Sequence, residues 1–298
     1  MNQNYIGITG VKTLSQTKAV FKKFKYYNLL DNQFSHFGMI GYLVNYQFKT
    51  EDYALESKKK PTLEELYNNL IYLFNKPIFK TIHYYTENNQ AFSKEITELL
   101  KLPIAIPLKQ QREFSANSID LRERLVNLNN LIGGIQLNIE SPNPLEILKI
   151  RKRFPGLKII FQFRRKYHKN FNLKNFVRKY QVFDYILFDQ SLGFGAEINL
   201  DKNQEIYRKV FNNGLHSNYN VGFAGGLNES NIYKKIKKIY KLLGNINFSI
   251  DTQSGVRNPE DKLEINKINN FLSEFIKSIL DIRINLEKIP GEKKKWLK

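Results

Sequence analysis

The sequence contains no cysteine. This absence excludes disulfide bonds, thiolate metal sites and cysteine nucleophiles. Histidine is also scarce, because the chain has only His36, His83, His168 and His216. No two of these histidines show the close spacing that is typical of metal ligands. We therefore expect no bound metal and no cofactor.

Long apolar runs are missing as well. No run approaches the roughly 18 residues that a membrane-spanning helix needs. Residues 1–10 also lack the basic stretch followed by an apolar stretch that marks a secretory signal peptide. We therefore expect a cytoplasmic protein with no membrane partner. The sequence does not predict an oligomeric state.

Acidic residues are few relative to basic ones. The chain has 28 Asp and Glu against 47 Lys and Arg, a net charge of +19. Such an excess suggests an anionic substrate or a nucleic acid. However, Lys, Asn and Ile are abundant everywhere and Ala is scarce, as in an AT-biased coding sequence. Lysines over 234–238 alternate with isoleucines, which is typical of a solvated helix face. Nucleic-acid binding is therefore not favoured.

Short apolar segments alternate with helix-type segments along the chain, whose 298 residues are 42% hydrophobic. The second strand-like segment is nearly continuous in apolar character, as strands covered on both faces are. The predicted strands cover residues 5–9, 37–44, 78–85, 134–139, 157–163, 183–189, 221–224 and 248–251.

The predicted helices follow these strands and carry recognisable ends. Thr62 and Glu65 form a capping-box pattern, and Pro155-Gly156 ends a helix. The helices cover residues 14–28, 62–74, 93–100, 118–131, 144–154, 172–181, 202–213, 229–243 and 260–285.

Eight strand–helix units with no Pro-, Gly- or Ser-rich linker predict an α/β fold, a (β/α)8 TIM barrel. We expect one domain over residues 1–290, with insertions near 45–61 and 101–117. A basic tail follows at 291–298.

Glycine turns follow the last two predicted strands, at Gly225-Gly226 and at Ser254-Gly255. Barrel enzymes commonly bind phosphate at the loops after strands seven and eight. Glycine lets backbone N–H groups approach an anion. We therefore expect a phosphate site at Gly225, Gly226, Asp251, Ser254 and Gly255. The alternative is that these glycines serve only tight turns.

Four groups of residues, in order, resemble the phosphoribosylanthranilate isomerase family. They are Gly7-Ile8-Thr9, residues 135–140, residues 187–189 with Gly193-Phe194-Gly195, and residues 224–232 with 250–256. That family is a barrel of tryptophan biosynthesis that rearranges an aminoaldose phosphate to an aminoketose. The resemblance implies a phosphorylated small-molecule substrate, Asp189 as general acid, and Gly193 and Gly195 in a substrate-binding loop.

The chain also departs from this family. The general base of the family is a cysteine just before the first-strand glycine, where this chain has Ile6. The family's substrate-binding arginine after strand two has no counterpart in residues 46–50. Asn138 stands where the family usually has histidine. The resemblance therefore leaves the base unassigned.

An isomerisation of this kind needs an acid to open the sugar ring and a base to move the C2 proton. Candidate bases at strand ends are His83, Glu87, Glu140 and Asp251. His83 titrates in a suitable range, but a lone histidine on an aromatic strand more often packs structurally. Glu140 either faces the barrel mouth or begins the next helix, where its charge is favourable. Asp189 either acts as the acid or caps the loop behind it.

Two functions follow as hypotheses. The first is an aldose–ketose isomerase that acts on a phosphorylated sugar derivative. The second is a catalytically inactive barrel that binds a phosphorylated ligand or RNA. The basic stretch Arg164-Arg165-Lys166 follows strand five. It either holds a second anion or forms a solvated loop.

Overall fold

The structure is a computed structural model. It describes residues 4–31, 35–45, 60–86, 88, 90–105, 125–140, 142–164, 172, 175, 178, 182–189, 198–201, 220–244 and 247–287. The strands in these residues are β1 Asn4–Thr9, β2 His36–Asn45, β3 Phe79–Tyr85, β4 Pro103–Ala105, β5 Leu125–Asn127, β6 Gly134–Leu137, β7 Lys158–Arg164, β8 Tyr185–Asp189, β9 Asn220–Ala224 and β10 Ser249–Thr252.

Eight of these strands close into a parallel barrel in the order β1-β10-β9-β8-β7-β6-β3-β2. The first and last strands pair directly, with Gly7 opposite Asp251 and Ile8 opposite Thr252. Because all eight strands are parallel, their C-terminal ends meet at one mouth of the barrel. The predicted (β/α)8 barrel is confirmed.

Helices lie between the barrel strands. The helices in the described residues are α1 Leu14–Tyr26, α2 Leu63–Leu73, α3 Phe92–Leu100, α4 Pro144–Arg153, α5 Ile232–Leu243 and α6 Ile265–Glu287. The predicted capping box of α2 is present: Glu65 N donates to Thr62 Oγ1 at 3.0 Å and Thr62 N donates to Glu65 Oε2 at 2.8 Å. Gly244, in the left-handed region at φ 74°, ends α5.

The apolar core has two parts. The larger cluster fills the space between the barrel and the helices and includes Ile6, Val20 and Phe271. A smaller cluster fills the inside of the barrel. There the rings of Tyr5 and Tyr185, on strands that are not neighbours, lie 5.5 Å apart. Side chains alternate between these two environments along each strand. The inner cluster forms an apolar floor below the polar mouth.

The helix predicted over 118–131 is wrong in its described part. Leu125–Asn127 forms a strand that pairs antiparallel with Pro103–Ala105, and Leu128–Asn130 is a single 3-10 turn. Asparagine side chains compete for backbone hydrogen bonds and favour turns over helix interiors, which agrees with the Asn-rich stretch here. The apolar spacing that suggested a helix instead buries Leu128 and Leu131.

Several predictions fall largely outside the described residues. They are the helices over 172–181 and 202–213, most of the insertions near 45–61 and 101–117, and the tail at 291–298. Among the helices that the structure describes, none combines the length and apolar character needed to cross a membrane.

Candidate functional site

A cavity opens at the C-terminal mouth of the barrel, above the apolar floor. Its empty volume is about 600 Å³, including the part open to solvent. The side chains and turns that line it come from the ends of β3, β6, β7, β8, β9 and β10. The lining residues are His83, Tyr85, Gln136, Gln162, Arg164, Asp189, Ala224, Gly225, Gly226, Leu227, Asp251, Thr252, Gln253 and Ser254.

Two polar contacts link Asp251, on β10, to Thr9 on β1 and through it to His83 on β3. Thr9 Oγ1 donates to Asp251 Oδ1 at 2.8 Å, and His83 Nε2 lies 3.4 Å from Thr9 Oγ1. Since the Thr9 proton goes to Asp251, the contact with His83 requires the imidazole to donate. A Cβ on Gly7 would lie 2.7 Å from Asp251 Oδ1, so glycine at this position makes room for the carboxylate.

Burial changes the pKa values of Asp251 and His83. Burial raises the pKa of Asp251 to about 7; the Thr9 hydrogen bond opposes the shift and the negative charge of Asp189 adds to it. Burial lowers the pKa of His83 to about 3. His83 is therefore neutral near pH 7, while Asp251 exchanges a proton in that range.

Asp189 is the second carboxylate of the cavity and is 5% exposed. Gln162 Nε2 donates to Asp189 Oδ2. Gln162 Oε1 in turn accepts from Arg164 Nε at 3.4 Å, and Arg164 Nη2 donates to the Asn138 carbonyl at 3.1 Å. Asp189 thus belongs to a polar network that runs along the mouth from β6 to β8.

The glycine turn after β9 is fixed by its carbonyl groups. Gly225 and Gly226 have φ angles of 104° and 58°, in the left-handed region that favours glycine. The Gly225 carbonyl accepts from Ile198 N at 3.1 Å, and the Gly226 carbonyl accepts from Asn231 Nδ2 at 2.8 Å. Because a trans peptide directs N–H and C=O oppositely, the N–H groups of Gly226 and Leu227 point away from these partners.

The two glycine turns contact each other closely. Thr252 Oγ1 donates to the Leu227 carbonyl at 2.6 Å. A Cβ on Gly255 would lie 1.8 Å from that carbonyl oxygen and 2.9 Å from Asn228 Cβ. Glycine at 255 therefore lets the turns after β9 and β10 pack side by side.

We predict that Gly255→Ala destabilises the protein by about 1–3 kcal/mol, because the added methyl overlaps backbone that cannot rotate away. Gly156→Ala is the matched control, since its Cβ meets nothing within 4 Å; we expect a change within about 0.5 kcal/mol. Urea unfolding measures both. Equal stability of the two variants would contradict the close packing of the turns.

The structure brings many of the sequence-predicted site residues together. Asp189, His83, Gly225, Gly226, Asp251 and Ser254 all line the cavity. Glu140 is exposed and does not belong to the cavity lining. Gly255 does not belong to the cavity lining and instead packs against the Leu227 carbonyl. Gly193, Gly195, Glu87, Arg165 and Lys166 lie outside the described residues.

Ile6 does not face this cavity. Its side chain is buried in the cluster between barrel and helices, whereas Tyr5 lies in the inner cluster. Alternation along β1 therefore directs Tyr5, Gly7 and Thr9 inward. The position at which the resemblance places the base is turned toward the helices. Among the described residues, no group of three His, Asp or Glu is placed to bind a metal.

The sequence did not reveal several residues of the site. Tyr85, Gln136 and Gln162 line the cavity, and Thr9 bonds to Asp251, but none of them was predicted as a site residue. A signal was available for two of them, because Gln136 with Asn138, and Gln162 with Arg164, stand at alternate positions of otherwise apolar strands. Polar residues with period two at the end of a buried barrel strand indicate a face turned to the mouth.

Solved structures of phosphoribosyl anthranilate isomerases resemble this barrel. The protein from Thermotoga maritima matches with a TM-score of 0.57 and 14% identity, over 92% of this chain and 99% of that one. The protein from Thermus thermophilus matches with a TM-score of 0.56 and 14% identity, over 92% and 98%. At these identities the likeness shows a shared barrel fold.

A third isomerase structure contains a ligand, reduced 1-(o-carboxyphenylamino)-1-deoxyribulose 5-phosphate. It matches with a TM-score of 0.55 and 13% identity, over 92% of this chain and 99% of that one. No family model matches the sequence. No curated protein matches it either.

Proposed function

We propose that this protein is an aldose–ketose isomerase that acts on a phosphorylated amino sugar. The observation that carries this proposal is the pair of buried carboxylates, Asp189 and Asp251, in one cavity beside two glycine turns. An isomerase needs an acid and a base in the same site. The likeness to isomerase barrels agrees with this chemistry.

The phosphate of the substrate would bind at the turns after β9 and β10. The N–H groups of Gly226 and Leu227 point away from the partners that hold the turn. Ser254 adds a hydroxyl at the cavity wall. Backbone N–H groups and a hydroxyl at the ends of neighbouring strands suit a phosphate group. The phosphate would thus anchor the substrate above β9 and β10.

Asp189 would act as the general acid. In the proposed reaction it gives a proton to the ring oxygen of the aminoaldose, the C1–O bond breaks, and an iminium forms at C1. Asp189 lies on β8, next to the phosphate-binding turn of β9 in the barrel order. Gln162 holds its carboxyl group in place. Tyr85 remains protonated beside it, because burial raises its pKa to about 12.

Asp251 would act as the general base in place of a cysteine. Its carboxylate takes the C2 proton, the C2–H electrons form the C1–C2 double bond, and the iminium becomes an enolamine. Protonation of C1 from solvent, with loss of the C2 hydroxyl proton to solvent, gives the aminoketose. A base works best when its pKa is near the working pH, and burial places the Asp251 pKa at about 7. Thr9 orients the carboxylate and neutral His83 supports Thr9.

Genetic complementation tests this proposal. We expect the wild-type gene to restore growth of a tryptophan auxotroph that lacks phosphoribosylanthranilate isomerase, and Asp189→Asn to abolish that growth. Immunoblotting of the soluble fraction controls for expression. Absence of growth with abundant wild-type protein, together with tight salt-sensitive RNA binding, would favour the inactive binding barrel instead.

A further inference from the structure

We infer that the side of the cavity formed by β6 and β7 is a subsite for a second anionic group of the substrate, bound by Arg164. The inference rests on the proposed function, because it assumes a phosphate anchored at the opposite side. It assigns a role to residues that neither the acid–base pair nor the phosphate site uses.

The guanidinium group of Arg164 faces the cavity with neutral partners. It donates to Gln162 Oε1 at 3.4 Å, through both Nε and Nη2, and to the Asn138 carbonyl at 3.1 Å. Among the residues that the structure describes, no carboxylate forms an ion pair with it. Arg164 is half-buried, so its charge is partly desolvated. A half-buried guanidinium without a carboxylate is suited to a planar or tetrahedral anion.

Two buried amides lie beside Arg164, and one of them has an unsatisfied hydrogen-bonding atom. Gln136 and Asn138 are 2% and 4% exposed, and Gln136 Nε2 donates to Asn138 Oδ1 at 2.9 Å. Among the described residues, Gln136 Oε1 has no hydrogen-bond partner, whereas the Asn138 side chain interacts with Tyr85. If both amides were flipped, Gln136 would instead keep an unsatisfied donor. Buried groups of this kind normally have partners, and a ligand in the cavity that Gln136 lines would supply them.

The order of the strands places this subsite at a defined position along the ligand. Around the mouth, β10 and β9 carry the phosphate-binding turns, β8 carries Asp189, and β7 and β6 carry Arg164 and Gln136. A substrate anchored by phosphate above β9 and β10 therefore passes Asp189 and directs its other end toward Arg164. That end would carry a carboxylate or a second phosphate, with an N–H or O–H donor for Gln136.

Calorimetric titration with four probes tests the inference. Ribulose 5-phosphate and ribulose 1,5-bisphosphate differ by one phosphate. The 1-phenylamino and 1-(2-carboxyphenylamino) derivatives of 1-deoxyribulose 5-phosphate differ by one carboxylate. In at least one of the two pairs, we expect the member with the second anion to bind the wild type about 10- to 100-fold more tightly than its partner. The pair that shows the advantage identifies the anion.

Substitutions assign the advantage to Arg164. In Arg164→Gln we expect the advantage of the second anion to disappear, while the affinity for the probe with only one anionic group stays within about twofold. Arg164→Lys should restore part of it, because lysine keeps the charge but not the planar fork. Arg153→Gln, at an exposed position of α4, is the matched control and should behave as the wild type.

The outcomes separate this inference from the proposed function. If the monophosphate probes bind and the second anion adds nothing, or if Arg164→Gln weakens both members of a pair equally, the subsite is refuted and the phosphate site stands. If none of the four probes binds, the phosphate site is refuted and the subsite with it.

Discussion

Replacing Asp189 with asparagine will lower kcat/KM for the isomerisation by about 10²- to 10⁴-fold, the usual contribution of a general acid. Asparagine has nearly the same shape and can still bond to Gln162, but it has no proton of suitable acidity for the ring oxygen. The change should be seen mainly in kcat, because the turns that are proposed to bind the phosphate are not altered. Steady-state kinetics of the purified variant measure the loss.

Asp201→Asn is the control for this experiment. The Asp201 side chain is 74% exposed and pairs only with Lys238 among the described residues. We expect wild-type kinetics for this variant and unchanged urea unfolding for both. If Asp189→Asn kept more than about a tenth of the wild-type kcat/KM, Asp189 would not be the general acid.

The proposed mechanism predicts that the rate of the wild-type protein depends on the protonation of Asp251. As a base, Asp251 works only when ionised, and its pKa is about 7. We therefore expect the ionisation of Asp251 to make kcat/KM rise by up to about tenfold per pH unit below pH 7. Asp251→Asn should lower kcat/KM by about 10²- to 10⁴-fold and remove this step. A rise with the same midpoint in Asp251→Asn would contradict the assignment of Asp251 as the base.

The same group will shape the stability of the protein. Because the pKa of Asp251 is higher in the folded state than in the unfolded state, the folded state binds more protons between pH 4 and pH 7. Stability therefore falls as pH rises through that window, by up to about 4 kcal/mol. In Asp251→Asn, the stability should no longer fall over this pH range. If stability followed this course while kcat/KM did not vary with pH below 7, Asp251 would have a structural role only.

The barrel was predictable because its signals are local. Each buried strand is a short apolar run bounded by polar or glycine-containing turns, and helices such as α2 carry their own caps. Once eight such units are counted, parallel pairing gathers their C-terminal ends at one mouth. For that reason the sequence alone predicts that Asp189, Asp251 and Gly225 lie near one another.

The details of the site depend on contacts that no local pattern encodes. The hydrogen bond from Thr9 to Asp251 joins the first and last strands across 242 positions. Whether Ile6 or Gly7 faces the cavity depends on the exact register of β1, since a shift of one residue exchanges the two faces. The helix predicted over 118–131 is wrong for a similar reason. The pairing of Leu125–Asn127 with β4 outweighs a helical spacing of leucines.

Isomerisation in deuterium oxide tests the central claim most directly. The aminoaldose phosphate, N-(5-phosphoribosyl)anthranilate, is incubated with purified protein, and the product is examined by NMR and mass spectrometry. The account predicts an aminoketose with one solvent deuterium at C1, formed by the wild type and by Asp201→Asn, and not measurably by Asp251→Asn or Asp189→Asn. No aminoketose from folded wild-type protein that binds the substrate, or a product made equally well by Asp251→Asn, would contradict it.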